Sequence, residues 1–396
     1  MKAIVFHGPG DIRLDDVPEP TLEADTDAIV RLTSSAICGT DLHFIRGTMA
    51  GVEPGTILGH EGVGVVEAVG PGVRNLKVGD RVVIPSTIAC GYCAYCREGY
   101  YAQCDNANPN GPGTAFYGGP KDAGGFHGMQ AEKVRVPFAN VNLVGLPDEV
   151  SDDEAILISD IFPTGYFGAD LAGIKLGHSV AVFGCGPVGQ FAITSAKLLG
   201  AGRVFAIDQY EDRLEMARNQ GAEVINFAKE DPVATLKELT GGIGVDAVID
   251  AVGVDAEHAH SGPAQGTNTR ETARDASPGA RDHAGRFQAG DGPMQSLAWA
   301  VDAVAKAGTV AIIGVYPPSD NLFPIGAAMN KNLTIRMGNC NHRKYVPMLV
   351  ELVRSGQVTP TVILTDREPL SDAISAYEQF DKRQPGWIKV ELEPAQ

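Results

Sequence analysis

Apolar positions in the first third of the chain come in short runs. Ile29–Thr33, Gly62–Val69 and Arg81–Ile84 each read as a strand, separated by Gly-Asp, Pro-Gly and Gly-His breaks. This pattern predicts an irregular, mostly β region from residue 1 to about 145. The rhythm changes at Ser151-Asp152-Asp153-Glu154, a helix-start signal with acidic residues in the first turn. From about residue 178 the period alternates. Val180–Phe183, Val204–Ile207, Val245–Ile249 and Thr309–Ile313 read as short buried strands. Val188–Leu199, Asp212–Gln220 and Met294–Ala305 read as helices between them. Strand–helix alternation with short links predicts an α/β, doubly wound parallel sheet. Residues 254–293 interrupt it: Val254 and Phe287 are their only large aliphatic or aromatic residues. Such a stretch cannot build a core of its own and is expected to be a surface excursion or partly disordered. No internal repeat is evident.

The strand Val180–Phe183 runs directly into Gly184-Cys185-Gly186-Pro187-Val188-Gly189, followed by a helix, a second strand and Asp208. This is a G-x-G-x-x-G turn in its strand–turn–helix context. The glycines permit a tight turn, approach of a pyrophosphate to the backbone, and close helix–sheet packing. The helix N-terminus supplies N–H groups to the phosphates. Asp208, nineteen residues after Gly189, can accept from ribose hydroxyls and repels a 2′-phosphate. NAD is therefore expected over NADP, although Arg213 can also approach the adenosine end. The plain alternative is a tight turn without nucleotide. Cys185 reads as a small residue packed beneath the loop.

Size and charge narrow the class. The chain has 396 residues, 44% hydrophobic, which suggests two domains. Mean hydropathy is −0.04, and no apolar run reaches the ~18 residues of a membrane span. The start lacks the charged and apolar regions of a secretory signal, so a cytoplasmic protein is expected. The net charge of −17 disfavours nucleic acid and anionic membranes as partners.

Four of the seven cysteines fall in Cys90-x2-Cys93-x2-Cys96-x7-Cys104. Without a secretory signal, this spacing reads as metal binding rather than as a disulfide framework. Four thiolates can close around a structural zinc, leaving no open position. An iron–sulfur cluster is the alternative. Three further polar clusters are Cys38-Gly39-Thr40-Asp41-Leu42-His43, Gly59-His60-Glu61-Gly62 and Ser159-Asp160-Ile161-Phe162-Pro163-Thr164-Gly165-Tyr166. Spacing alone does not bring them together. His258 and His260 form a His-x-His pair in the excursion, Arg343 and Lys344 read as solvated, and Cys340 and His342 belong to no legible motif.

The order of these clusters, the four-cysteine loop and the nucleotide turn resemble the zinc-dependent alcohol dehydrogenases of the medium-chain dehydrogenase/reductase superfamily. Residues 160–166 and the long excursion most resemble its glutathione-independent formaldehyde dehydrogenase branch. The resemblance implies a GroES-like catalytic domain of residues 1–150 and 320–396, and a Rossmann domain of residues 151–319. It makes Cys38, His60 and Asp160 ligands of a catalytic zinc. Asp160 stands where many members have cysteine, which replaces soft sulfur with hard oxygen. Glu61 resembles the family's adjacent glutamate, which approaches the metal when water or substrate leaves. The implied chemistry is Lewis-acid polarisation of the substrate oxygen and hydride transfer to the nicotinamide. Thr40 takes the proton and passes it through the cofactor ribose to His43, with Asp41 either orienting the loop or only capping it locally. Thr164 matches a position beside the nicotinamide ring, and a homo-oligomer, dimer or tetramer, is expected. The substrate is then a small alcohol or a hydrated aldehyde such as formaldehyde. Alternatives are a polyol dehydrogenase, an aldehyde dismutase with tightly held NAD, and a zinc-stabilised nucleotide-binding protein without activity.

Overall fold

The computed structural model describes residues 1–266, 287, 289–317 and 323–394. Contacts divide the chain into two units. The first comprises Met1–Pro163 and Asn339–Gln396, with Phe287. The second comprises the described residues of Thr164–Asp282 and Ala289–Gly338.

The first unit is β-rich. A seven-stranded sheet is built mainly from Ala28–Ile37, Gly62–Val69, Arg81–Ile84 and Val390–Glu393, and a three-stranded sheet holds Lys2–Gly8. Ala28–Ile37 pairs antiparallel with Gly62–Val69, Lys133–Val136 and Val390–Glu393. Bulges in the first of these pairings bend the strand. Helix Asp152–Ser159 starts as its residues predict. Ser151 Oγ accepts from Glu154 N–H, and Glu154 Oε2 accepts from Ser151 N–H. Such a reciprocal cap contributes about 1 kcal/mol.

The second unit carries a six-stranded parallel sheet in the order Glu223–Asn226, Arg203–Asp208, Ser179–Phe183, Val245–Asp250, Val304–Ile312, Thr334–Met337. This is the doubly wound order, with the first strand at the switch point. Val180, Ala181 and Val182 are fully buried, as strands covered on both faces require.

The structure moves both expected domain boundaries. Helix Asp152–Ser159 packs on the strands of the first unit, so the division falls after Pro163 rather than at 150. Thr334–Met337 is the sixth strand of the parallel sheet, so the second unit runs to Gly338 rather than to 319. The helix expected over Met294–Ala305 spans Gln295–Ala303, because Val304 is extended and starts the next strand. In the excursion, Val254 and Phe287 are both buried, whereas residues 267–286 lie outside the described residues.

Candidate active site and metal centres

Cys38 stands at the N-cap of helix Gly39–Arg46, which carries Thr40, Asp41 and His43 and ends at Gly47 in the left-handed region. His60 and Glu61 directly precede strand Gly62–Val69. Asp160 is the hinge between helices Asp152–Ser159 and Ile161–Leu171. These three segments converge within the first unit. Cys38, His60, Glu61 and Asp160 are buried, and each offers one donor atom within 4.8 Å of the others. Asp160 Oδ2 lies 3.2 Å from His60 Nε2 and 3.6 Å from Cys38 Sγ.

Burial disfavours the charged form of every group here. It pushes the Cys38 thiol up, and it carries Glu61 to about 7 against the pull of Lys389. At Asp160 the burial cost is outweighed by hydrogen bonds from His342 and His60, so its carboxyl stays well below the usual range. Burial lowers the His60 imidazole, but the Asp41 carboxylate and the Asp160 hydrogen bond outweigh it and hold His60 well above the usual value. Glu61 Oε2 and His60 Nδ1 are buried without a hydrogen-bond partner among the described residues. Asp41 Oδ1 is 3.3 Å from His60 Nδ1, near enough for charge attraction. A thiol, an imidazole and two carboxylates facing one point suit zinc. A cation at that point also satisfies Glu61 Oε2, so the residues fit the metal.

Two residues of this centre escaped the sequence reading. Lys389 is fully buried; its Nζ donates to Glu61 Oε1 at 2.5 Å and to Ile37 C=O at 2.9 Å. His342, which no motif explained, is buried with Nε2 2.6 Å from Asp160 Oδ1. Asp41 caps its own helix: its Oδ2 accepts from Cys38 N–H at 3.1 Å. His43 is buried with Nδ1 3.3 Å from Thr48 Oγ1, and Thr40 is half-buried one turn earlier.

The second centre is the four-cysteine loop. All four thiols are free of disulfides and their sulfurs lie within 4.8 Å of one another. Two pairs, Cys90–Cys96 and Cys93–Cys104, stand 4.0 Å apart. Tetrahedral zinc at ~2.3 Å from each sulfur requires roughly 3.8 Å between sulfurs. Backbone N–H groups of Cys93 and Tyr92 donate to Cys90 Sγ, and those of Cys90 and Ala107 donate to Cys104 Sγ. At Cys104 burial outweighs these donors and pushes the thiol up.

The nucleotide turn belongs to the second unit. Gly184 takes φ 87°, and a Cβ on Gly189 would lie 1.8 Å from Gly184 O. The first and third glycines are therefore required by the turn itself. Gly186 is the N-cap of helix Pro187–Leu198, with Pro187 at the first position and Val188 following. Asp208 Oδ2 accepts from Cys185 N–H at 2.8 Å, which ties the acid to the turn. A Cβ on Gly186 would lie 3.8 Å from Arg213 Nη1, so the Arg213 guanidinium flanks the turn. Thr164 is half-buried in helix Ile161–Leu171. The His258 ring contacts Gln295 Oε1 at 3.0 Å, and His260 pairs with Asp291 at 3.2 Å. These two histidines therefore face different partners.

Comparison with known proteins places the chain in a family. Residues 24–148 match the family described as "Alcohol dehydrogenase GroES-like domain", and residues 187–260 match "Zinc-binding dehydrogenase". The zinc-type alcohol dehydrogenase-like protein AdhB of Bacillus subtilis is 40% identical, with 100% of each chain covered. The glutathione-independent formaldehyde dehydrogenase of Pseudomonas aeruginosa is 35% identical, over 97% of this chain and 96% of the relative. Among solved structures, alcohol dehydrogenase TADH from Thermus sp. ATN1 superposes with a TM-score of 0.82 at 37% identity, covering both chains fully. Identity at this level along the entire length, on this fold, makes the chain a member of the zinc-type alcohol dehydrogenase family.

Proposed function

We propose that this enzyme oxidises a small alcohol, or a hydrated aldehyde such as formaldehyde, with NAD as hydride acceptor. The convergence of Cys38, His60, Glu61 and Asp160 on one buried point carries the reading. Cys38, His60 and Asp160 hold the catalytic zinc, and Glu61 is its alternate ligand. Bound there, zinc supplies Lewis-acid polarisation of the substrate oxygen. Cys90, Cys93, Cys96 and Cys104 hold a second, structural zinc. Their sulfur spacing supports one ion over a cluster of several irons, which would push the sulfurs further apart. The formaldehyde dehydrogenase named above supports the hydrated-aldehyde substrate.

The chain's own groups handle the proton. Thr40 Oγ1 is the group placed to take it from the substrate hydroxyl, and His43, one turn further along the same helix, the group placed to pass it toward solvent. Thr40→Ala is expected to lower kcat about 10²-fold while zinc content stays at the wild-type value. Steady-state kinetics with metal analysis checks both. Normal turnover in that variant refutes the relay.

NAD rather than NADP follows from Asp208, whose carboxylate adjoins the turn. Asp208→Asn keeps an acceptor for Cys185 N–H and removes the charge. The ratio of kcat/KM for NADP to that for NAD is expected to rise about tenfold, a gain of ~1.4 kcal/mol from lost like-charge repulsion. An unchanged ratio assigns the selectivity elsewhere.

Thr334–Met337 is one of the two edge strands of its sheet and is mostly exposed, which supports a homo-oligomer formed by edge pairing. No helix of the described residues is long and apolar enough to cross a membrane, and the seven unpaired thiols support a reducing, cytoplasmic setting. Turnover of an alcohol and aldehyde panel, with and without added NAD, tests the function. Absence of NAD reduction by any alcohol or aldehyde overturns it.

A further inference from the structure

A carboxylate ligand poses a problem that a thiolate ligand does not. It has a second oxygen, and in a buried site that oxygen is destabilising if left without a partner. It can also swing to bind through both oxygens, or turn away. In Asp160 the two oxygens are divided between two environments. Oδ2 faces His60 Nε2 and Cys38 Sγ. Oδ1 accepts from His342 Nε2 at 2.6 Å. His342 is only 3% exposed and opens helix His342–Arg354. Its other nitrogen, Nδ1, is 3.1 Å from Thr87 Oγ1, and that hydroxyl also lies 3.5 Å from Cys340 C=O. The imidazole is therefore tied at Nδ1 to Thr87, and Nε2 is the donor to the carboxylate whichever way the Thr87 hydroxyl turns. Asp160 and His342 are 182 residues apart in sequence and lie in the same unit.

We propose that His342 is a positioning residue: it holds Asp160 Oδ1, so that Asp160 presents Oδ2 alone to the metal as a one-oxygen ligand. The inference rests on the reading of Asp160 as a zinc ligand. His342 acts through Asp160 and touches neither substrate nor cofactor in this role. Partners of this kind are worth about 10–100-fold in metal affinity.

The test is zinc loss from the intact, zinc-loaded enzyme during timed dialysis against a chelator, with zinc per chain measured by mass spectrometry. His342→Phe fills the space without a donor and should release the first zinc about 10–100-fold faster. His342→Gln can still donate to Asp160 and should stay within about threefold of wild type. In an Asp160→Cys background no second oxygen needs a partner, and His342→Phe should have almost no further effect. Wild-type release from folded His342→Phe overturns the proposal. So does equally fast release from the Phe and Gln variants, which points to packing rather than donation. If His342→Phe does not fold, His342→Gln and Thr87→Val decide: rapid release from the Gln variant, or unchanged release from the Val variant, overturns the proposal. Asp160→Ala separates the two levels: if it keeps all its zinc, the ligand assignment itself falls. If it loses a zinc while the His342 variants do not, only the positioning role falls.

Discussion

Asp160→Ala is expected to lower turnover about 10³-fold and to remove about one zinc per chain, while the fold persists. The rate follows from what the metal does. Lewis-acid stabilisation of a developing alkoxide amounts to several kcal/mol, and ~4 kcal/mol is about three decades in rate. Asp160 Oδ2 is central to the cluster, 3.2 Å from His60 Nε2 and 3.6 Å from Cys38 Sγ. Without it, Cys38 and His60 remain with Glu61, whose Oε1 is held by Lys389 at 2.5 Å. That ion pair lies fully buried and fixes Glu61 through Oε1, so Glu61 has only Oε2 to offer and one ligand is still lost. Asp160→Cys, in contrast, supplies a single thiolate and should retain zinc and most activity. Metal content and kcat measured on both variants check the assignment. Full activity and full zinc in Asp160→Ala overturns it.

Cys96→Ser should also lose a zinc, but at the expense of stability, with chemistry affected only as far as the fold is. Cys96 is 2% exposed and its sulfur belongs to the close-set group of four. The loop is also packed against an apolar cluster that includes Ile88, Ala107, Tyr117 and Leu143. It therefore does not depend on metal alone, unlike a zinc-finger peptide, whose entire fold does. A loss of about 4 kcal/mol is expected, since removing a structural metal belongs among the largest single-residue effects. For a unit of this size that lowers Tm by about 10 °C. Calorimetry with zinc analysis checks it. Unchanged zinc content together with a Tm within about 2 °C of wild type shows that the loop is held by packing alone.

Local periodicity was the part of this protein legible from its residues. The strands Gly62–Val69 and Arg81–Ile84 have the expected limits, and the helix signalled by Ser151–Glu154 runs over Asp152–Ser159. The nucleotide turn was legible for the same reason: a glycine-rich turn between a strand and a helix is decided by sterics within a few residues, as Gly189 against Gly184 O demonstrates. The four thiols were legible because short loops force neighbours in sequence to be neighbours in space.

Lys389 shows where such reasoning stops. It alternates with Ile388 and Val390 along the chain, and alternation normally marks a solvent face. Here residues 388–392 are all buried, and Lys389 points at another polar group, Glu61, 328 residues away in sequence. His342 misleads in the same manner, as the first residue of an amphipathic helix next to charged neighbours. Helix and strand type, the phosphate turn and the thiol loop thus follow from the sequence by itself, because each depends on contacts within about twenty residues. The meeting of Cys38, His60 and Asp160, and the His342 and Lys389 partners behind them, was decided by tertiary structure alone. Those contacts depend on sheet register and helix docking, which bring together segments that no local period relates.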